Sequence, residues 1–480
     1  MTEFSTLGLS QPLLDAIAAL GFEHPTPIQE KAIPRLLQAD TDFVGLAQTG
    51  TGKTAAFGLP LMDLIDPEVR PTQALVLAPT RELCLQIAKE LTLFGQNKKR
   101  IKVRAVYGGA NILNQIREVR QGAHIVVATP GRLRDMMRRK AVDLRELSIV
   151  VLDEADEMLN MGFKEEIDDI LRDTPEEKLT WLFSATMPHE VRRIAQNYMS
   201  NPFELSIGKQ NSANADIEHQ YIYVKNSMKY EALTRFLDAD PNLFGLVFCR
   251  TRRDTQKLAK QLSKDGYKAD AIHGDLSQSQ RDAVMDKFRT HRIQILVATD
   301  VAARGIDVQD ISHVFHFNIP DDMAFYTHRS GRTGRAGKKG ISLVLAHPRD
   351  RRMLRDLERR IQSRFTEARL PDGEMICRSR IQSYFQNLKA SAVNEDIDRF
   401  MPEIEAELAD WTKEDLIRHL ASSKFSRLLK THLRKTNDAP DLDFDYKKIK
   451  GRSLRLFINI GTMDVDGKSG FLSFLSDHCD

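Results

Sequence analysis

Two kinds of segment alternate along the first part of the chain. Short runs of apolar residues alternate with longer segments in which apolar residues recur at helical spacing, as in residues 79–94. The short runs predict strands that are buried on both faces, and the longer segments predict helices packed against them. Repeated strand–helix units are typical of an α/β fold with an open parallel sheet. The predicted strands are residues 42–47, 73–79, 102–108, 124–129, 148–153 and 179–186.

The same alternation begins again after a polar segment at residues 208–218, which reads as a linker. We therefore expect two α/β domains in tandem, at residues 1–208 and 218–362, joined by residues 209–217. The strands predicted for the second domain are residues 219–224, 243–249, 268–274, 293–300, 311–318 and 340–346.

The pattern changes after residue 362. Residues 363–434 are mainly helical by period, and their apolar stripes could face a partner helix in a homodimer or pack against the second domain. Residues 435–451 are polar and rich in Pro and Asp, which predicts a linker. Residues 452–480 offer one strand and one helix, which cannot bury a core alone, so they predict the start of a further, incomplete domain.

Composition narrows the class of protein. The chain has 480 residues, a net charge of only +3, and charged residues at 29%, as expected of a soluble protein of several domains. Its four cysteines are far apart, which disfavours a zinc site and a disulfide framework. The N-terminus lacks the features of a signal peptide, and no apolar run approaches the roughly 18 residues of a membrane span. These features predict a cytoplasmic protein.

The segment at residues 43–57 combines a strand, a turn rich in Gly and Thr, and the start of a helix. Together with Gly52, Lys53 and Thr54 it matches the phosphate-binding loop, in which glycines let backbone N–H groups surround phosphate oxygens. Ala47 stands where the pattern usually has its first glycine. Lys53 is expected to reach the β- and γ-phosphates, and the Thr54 hydroxyl to bind Mg²⁺. The alternative is a strand–helix turn that binds no ligand.

Four acidic residues lie at the end of the predicted strand at 148–153 and directly after it. Asp153 ends this strand at its carboxyl end, where α/β sheets bind ligands, so it is the best candidate to hold Mg²⁺. Glu154 is then placed to orient or deprotonate an attacking water. The alternative is that the acids only stabilise a helix N-terminus, which is our interpretation of Glu157.

Residues 153–156 read Asp-Glu-Ala-Asp, and the chain closely resembles the DEAD-box RNA helicases. The resemblance covers residues 4–350 and rests on an ordered series of motifs, which include residues 21–29, 79–83, 129–132, 184–186, 278–281, 298–307 and 328–335. It implies two RecA-like domains, ATP and Mg²⁺ as cofactors, and RNA as the partner. Residues 363–434 resemble the dimerisation region of some bacterial members, and residues 452–480 resemble the start of an RRM-like RNA-binding domain, here incomplete. The implied function is ATP-dependent unwinding of short RNA duplexes, in ribosome assembly or RNA remodelling.

The resemblance also implies roles for nucleotide-site residues. Gln29 would read the adenine edge and Phe22 would pack on the base, while Asp307 would bind the ribose. Arg332 and Arg335, from the second domain, would act as arginine fingers on the γ-phosphate. The implied ATP-binding set is Phe4, Phe22, Gln29, Gln48, Thr49, Gly50, Thr51, Gly52, Lys53, Thr54 and Asp307, and the implied catalytic set is Lys53, Asp153, Glu154, Arg332 and Arg335.

A third implied set contacts RNA, and a fourth couples the two ligands. Hydroxyls and arginines at the carboxyl ends of strands suit phosphates and sugars and carry no base code, so binding should be sequence-independent and salt-sensitive. Each of these residues alone could equally be a helix cap or a surface arginine. The RNA set is Thr80, Arg81, Gly109, Thr129, Arg132, Gln278, Arg281 and Thr299, and the coupling set is Asp156, Ser184, Thr186 and His328.

There are two alternatives to the helicase function. One is an ATP-gated RNA clamp or scaffold with little unwinding, which would use the same residues. The other is a DNA translocase, which the Gln29 motif and the Asp-Glu-Ala-Asp sequence both disfavour. Departures from the family pattern are mild: Ser330 replaces a more usual aliphatic residue, and Ala47 replaces glycine.

Overall fold

The computed structural model describes residues 2–48, 50–98, 100–207, 216–303, 308, 310–320, 323–334 and 338–433. Three parts follow one another: a first lobe (residues 2–207), a second lobe (residues 216–367) and a helical region (residues 373–433). The linker and incomplete domain predicted at 435–451 and 452–480 lie outside the described residues.

A seven-stranded, all-parallel sheet forms the centre of the first lobe, in the order β3-β4-β2-β5-β6-β1-β7. Each strand except β7 lies within a predicted apolar run. β7 was missed because its residues are mostly exposed at the sheet edge, so it lacks the apolar run of a buried strand. The strands are β1 Phe43–Leu46, β2 Ala74–Leu77, β3 Val103–Val106, β4 Ile125–Ala128, β5 Ile149–Leu152, β6 Leu179–Ser184 and β7 Phe203–Ser206.

Helices cover both faces of this sheet. Alternate residues of the strands point to opposite faces and belong to two separate apolar cores, one on each face. Phe43 and Val151 belong to one core, whereas their neighbours Val44 and Val150 belong to the other. The helices are α1 Gln11–Ala19, α2 Pro27–Leu37, α3 Lys53–Leu64, α4 Arg81–Phe94, α5 Ile112–Arg120, α6 Pro130–Arg138, α7 Ala155–Asn160, α8 Lys164–Arg172 and α9 His189–Tyr198.

The second lobe repeats this architecture with a second seven-stranded parallel sheet, in the order β10-β11-β9-β12-β13-β8-β14. Its strands are β8 Ile217–Tyr223, β9 Gly245–Phe248, β10 Ala269–Ile272, β11 Ile295–Ala298, β12 His313–His316, β13 Gly340–Ala346 and β14 Thr366–Glu367. Its helices are α10 Lys229–Ala239, α11 Arg252–Lys264, α12 Gln278–Arg289, α13 Asp300–Ala303, α14 Met323–Ser330 and α15 Arg351–Ile361. The two sheets confirm the predicted tandem RecA-like α/β fold.

The helical region contains α16 Gly373–Ala390, α17 Met401–Glu407 and α18 Lys413–His432. It is fastened to the second lobe at Asp238, which accepts hydrogen bonds from Arg380 at 2.7 Å and from the Tyr267 hydroxyl at 3.0 Å. The predicted homodimer through residues 363–434 stays a prediction. No helix in the described part of the chain is long and apolar enough to cross a membrane.

Parallel strands bring the loops that follow them to one edge of a sheet. In the first lobe the segments after β1, β2, β4 and β5 therefore meet at the carboxyl edge, and these segments carry most of the residues singled out by the sequence.

Candidate functional site between the lobes

The loop between β1 and α3 is held in a tight turn by its own backbone. Gly50 and Gly52 have φ angles of 80° and 86°, a left-handed conformation that favours glycine. A Cβ at Gly52 would also collide with the Gln29 side chain. Lys53 is buried at the first position of α3, and its Nζ donates to the Ala47 carbonyl at 2.8 Å. The loop therefore presents a helix N-terminus and a buried ammonium group; Thr49 lies outside the described residues.

Gln29 ties the start of α2 to this loop. Its Oε1 accepts from the Thr26 backbone N–H at 2.9 Å, and its Nε2 donates to the Gly52 carbonyl at 3.1 Å. The Thr26 hydroxyl donates to the Thr51 carbonyl at 2.8 Å. The Gln29 amide is therefore hydrogen-bonded directly to the phosphate-binding loop, and a substitution of Gln29 would remove this contact.

Phe22 lies half-buried before α2. Phe4 is buried in the core beside it, with ring centroids 6.1 Å apart in an edge-on arrangement. Phe4 thus supports Phe22 from behind.

Asp153 immediately follows β5 and is buried. Burial raises the pKa of its carboxyl to about 7, although the Lys53 ammonium opposes this effect. The Glu154 N–H donates to Asp153 Oδ1 at 3.0 Å. Glu154 itself has a φ of 49° and a ψ of 51°, a conformation that is rare outside glycine and asparagine. This turn directs the chain into α7 and leaves the Glu154 side chain on the wall of the inter-lobe cleft.

Asp156 is buried and joins three segments. Its Oδ2 accepts from the Thr186 N–H at 2.9 Å and from the Thr186 hydroxyl at 2.7 Å, and its own N–H lies 3.4 Å from Ser184 Oγ. His328 Nε2 of the second lobe lies 3.7 Å from the same oxygen. Burial alone would raise the pKa of Asp156, but the nearby His328 imidazole and the hydrogen bonds from Thr186 hold it well below its usual value. The structure therefore brings the four predicted coupling residues together.

Glu157 lies in the first turn of α7, as the sequence predicted, and it also makes a contact that the sequence did not predict. It is only 4% exposed, and its carboxylate contacts His328 Nδ1. The helix that begins after Glu154 is short and lies against the second lobe, so its first turn faces protein and not water. Glu157 is therefore also part of the inter-lobe contact.

The second lobe contributes its cationic residues from α14 and the turn that follows. Arg332 is buried, and its Nε donates to the His328 carbonyl at 3.2 Å. Together with Glu154, Glu157 and His328 it lines one cleft between the lobes. Arg335 and Asp307 lie outside the described residues.

Arg329 and Asp300 form an ion pair that the sequence analysis did not single out. Arg329 Nη2 lies 2.7 Å from Asp300 Oδ2, and Arg329 Nη1 donates to the Asn318 carbonyl at 2.8 Å. Asp300 lies in the motif at residues 298–307 and Arg329 in the motif at residues 328–335, and these positions could have indicated a role for both residues. The pair fixes α14 against the segment after β11 and so positions its neighbours His328 and Arg332.

A buried polar network lies beneath α14. Ser330 Oγ lies 3.1 Å from Ser342 Oγ, which also lies 3.1 Å from the Tyr326 hydroxyl and 3.0 Å from His316 Nε2. The Tyr326 hydroxyl is 2.7 Å from His219 Nδ1. Ser330, the departure from the family pattern, is therefore a member of a hydrogen-bonded network in the core.

The residues predicted to contact RNA lie on both sides of the cleft. Thr80 caps α4, its hydroxyl accepting from the Leu83 N–H, and Arg132 Nη1 donates to the Ala110 carbonyl at 3.1 Å. Gly109 of the first lobe lies close to Gln278 of the second. Thr129 and Thr299 follow β4 and β11 and are both nearly buried.

Two ion pairs cross the cleft at this place. Arg81 Nη2 lies 3.1 Å from Asp282 Oδ2, and Arg281 Nη2 lies 3.4 Å from Glu82 Oε1. Arg81 and Arg281, two of the three arginines of the predicted RNA set, thus each contact an acid of the opposite lobe, and that acid is next in sequence to the other arginine of the two.

Three family matches cover most of the chain. Residues 26–194 match the DEAD/DEAH box helicase family and residues 228–337 match the helicase conserved C-terminal domain. Residues 376–432 match the helical domain described for a probable ATP-dependent RNA helicase.

Relatives and solved structures agree with these matches. The chain is 44% identical to the DEAD-box ATP-dependent RNA helicase CshA of Bacillus thuringiensis (strain Al Hakam), over 83% of this chain and 75% of the relative. It is 40% identical to CshA of Bacillus subtilis (strain 168), over 94% and 91%. The structure resembles that of S. cerevisiae Dbp5 bound to RNA and ADP BeF3, with a TM-score of 0.73, 31% identity, and coverage of 79% and 98%. The chain belongs to the DEAD-box ATP-dependent RNA helicases, which use ATP and bind RNA.

Proposed function

We propose that ATP hydrolysis takes place in the cleft where His328 and Arg332 of the second lobe meet the acidic residues that follow β5. The observation that carries the proposal is the contact of His328 with both Asp156 and Glu157, in a cleft also lined by Glu154 and Arg332. The two lobes together supply this set of groups, so hydrolysis depends on their closure.

The residues of the first lobe bind and orient the nucleotide. The backbone N–H groups at the start of α3 and the Lys53 ammonium hold the phosphates, and Gln29 with Phe22 holds the adenine. Glu154 orients or deprotonates the attacking water. Asp153 and Thr54 are suited to hold Mg²⁺, since the buried Asp153 carboxylate, whose charge burial disfavours, suits a divalent cation. When bound, the ion neutralises charge on the phosphate oxygens.

The second lobe completes the site. Arg332, together with Arg335, stabilises the charge that develops on the transferred phosphate, a contribution that is typically about 10³–10⁵ in rate. Asp156 accepts hydrogen bonds from Thr186 and contacts His328. It therefore couples the nucleotide state to the arrangement of the lobes. Asp307 would bind the ribose.

RNA binds across both lobes through its backbone. The residues of the RNA set supply hydroxyls, amides and guanidinium groups, which suit phosphates and sugars, so recognition is sequence-independent and salt-sensitive. Because ATP and RNA both bridge the lobes, each favours closure and so favours the binding of the other. The closed cleft holds one RNA strand in a bent conformation. A short duplex cannot adopt this bend, so its two strands separate locally.

The clamp without unwinding is not favoured, since the curated relatives are named as helicases. Roles in ribosome assembly or RNA remodelling, a cytoplasmic location and a homodimer through residues 363–434 stay predictions.

Glu154→Gln tests the proposed site. The amide keeps the size of the side chain but cannot accept a proton, so RNA-stimulated ATP hydrolysis should fall by about 10² or more. The affinities for ATP and RNA should change less than about twofold. Glu146→Gln, which alters an exposed acid of the same lobe, is the matched control and should behave as wild type. Hydrolysis that is retained in the Glu154 variant would sink the assignment.

A further inference from the structure

A cationic groove lies at the amino edge of the sheet of the first lobe. It encloses about 860 Å³ and is formed by the segments that precede β2, β3 and β4 and by the segments that follow α5 and α6. The nucleotide and the RNA set use the opposite, carboxyl edge of the same sheet. The groove is therefore separated from the inter-lobe cleft by the full length of the strands.

The floor of the groove is formed by buried neutral residues. Thr72 donates its hydroxyl to the Ala123 carbonyl at 2.9 Å, and His124 Nδ1 accepts from the Lys102 N–H at 2.9 Å. Burial, together with the charge of Lys102, lowers the pKa of His124, so this histidine adds no charge at neutral pH.

The walls of the groove are strongly basic. Arg70, Lys102, Arg120, Lys140 and Arg145 line it, and Asp143 is the one carboxylate among the described residues that do so. Asp143 is already paired with Arg145 at 2.7 Å. The remaining four cations have no ion-pair partner in the described part of the chain.

Cations near helix C-termini often only complement the helix dipole. That explanation applies to Arg120 at the end of α5, to Lys140 just after α6, and to Lys102, whose Nζ donates to the Gln121 carbonyl at 3.0 Å. It does not cover Arg70, which precedes β2 and lies at no helix end, or the grouping of four cations around one cavity.

We propose that this groove is a second RNA-binding site, which takes the phosphates of a single strand that extends beyond the inter-lobe cleft. Lysine and arginine side chains around a groove with a neutral floor bind a phosphate backbone without reading its bases. RNA is the polyanion that this family binds, which favours an RNA strand over an acidic protein segment. The site would hold the enzyme on structured RNA while the cleft acts on one duplex.

The test compares charge-reversal variants in the full-length chain. Arg70→Glu, Arg120→Glu and Lys140→Glu are combined, because all three side chains are exposed and the fold should tolerate them. The matched control combines Lys257→Glu, Lys260→Glu and Lys264→Glu, which make the same change of charge on the exposed face of α11. Fluorescence anisotropy measures binding of a strand of about 10 nucleotides, which fills the cleft alone, and of one of about 40 nucleotides.

The groove variant should bind the long strand at least about tenfold more weakly, and the slope of log K against log salt should become shallower by about 2, since about 0.7 is expected per phosphate contact. Binding of the short strand and the ATP hydrolysis that it stimulates should match the control, which shows that the variant is folded. Equal loss for both strands, or a long-strand affinity equal to that of the control, overturns the proposal. Weaker binding of an acidic peptide with unchanged RNA binding overturns it in favour of a protein partner.

Discussion

Arg81 of the first lobe and Asp282 of the second are joined by an ion pair of 3.1 Å across the cleft. Arg281 and Glu82 form the reciprocal pair at 3.4 Å. Both arginines belong to the set predicted to contact RNA, so in this arrangement carboxylates occupy guanidinium groups that RNA phosphates would use. We therefore predict that the acids compete with RNA for the two arginines.

Asp282→Asn should strengthen RNA binding. The change frees Arg81, and Asp282 is largely exposed, so the effect is limited to the roughly 0.2–1 kcal/mol of an exposed pair. We expect the RNA concentration that half-saturates ATP hydrolysis to fall by up to about fivefold. Asp286→Asn, one turn further along α12, should leave it unchanged. Weaker binding in the Asp282 variant would show that this pair supports the RNA site instead of competing with it.

Closure should weaken as pH rises. Burial alone would lower the pKa of His328, but contacts with the carboxylates of Asp156 and Glu157 raise it to about 10, whereas a solvated imidazole has a pKa of about 6.5. The closed arrangement thus binds the proton more tightly. The stabilisation that the proton on His328 gives to the closed arrangement is fully present below about pH 6.5 and is lost as pH rises toward about 10.

Energy transfer between one dye on each lobe measures this dependence. With nucleotide and RNA bound, the closed fraction should fall between about pH 7 and about pH 9. Besides Asp156 and Glu157, the acids Glu154 and Asp300 line the same cleft as His328, together with Arg329 and Arg332. His328→Gln should close less at neutral pH and show little further decline. A wild-type protein that closes equally at both pH values would contradict the role given to His328.

The network beneath α14 should be more sensitive at its centre than at its edge. Ser342 Oγ has three side-chain partners, so Ser342→Ala would leave Tyr326 and His316 each short of a hydrogen bond. We expect a loss of about 1–3 kcal/mol in the free energy of unfolding for Ser342→Ala, and about 0.5–1.5 kcal/mol for Ser330→Ala. Chemical denaturation measures both losses, with Ser263→Ala on the exposed face of α11 as the control. A larger loss for Ser330→Ala than for Ser342→Ala would contradict this prediction.

Much of the fold could be predicted from the sequence because buried parallel strands are apolar on both faces. β7 and β14 escaped this signal, since β7 lies mostly exposed at its sheet edge and β14 has only two residues. The phosphate-binding loop and Asp153 were predictable because their chemistry depends on local order along the chain.

The contacts between lobes could not be predicted in the same way. The contact of Glu157 with His328 was not predicted, because nothing in the local sequence of Glu157 indicates that a residue far along the chain covers it. The Arg81–Asp282 pair likewise joins residues 201 positions apart, and no periodicity reports such a distance. For charged residues such as these, the sequence does not indicate which of several possible partners each one contacts.

The central claim is that the second lobe completes the hydrolytic site, and Arg332→Ala tests it most directly. The measurement is single-turnover ATP hydrolysis with saturating RNA, alongside the affinities for both ligands, with Arg289→Ala on the exposed end of α12 as the control. We predict that hydrolysis falls by about 10³ or more while both affinities stay within about twofold of wild type. Hydrolysis within about tenfold of wild type would contradict it.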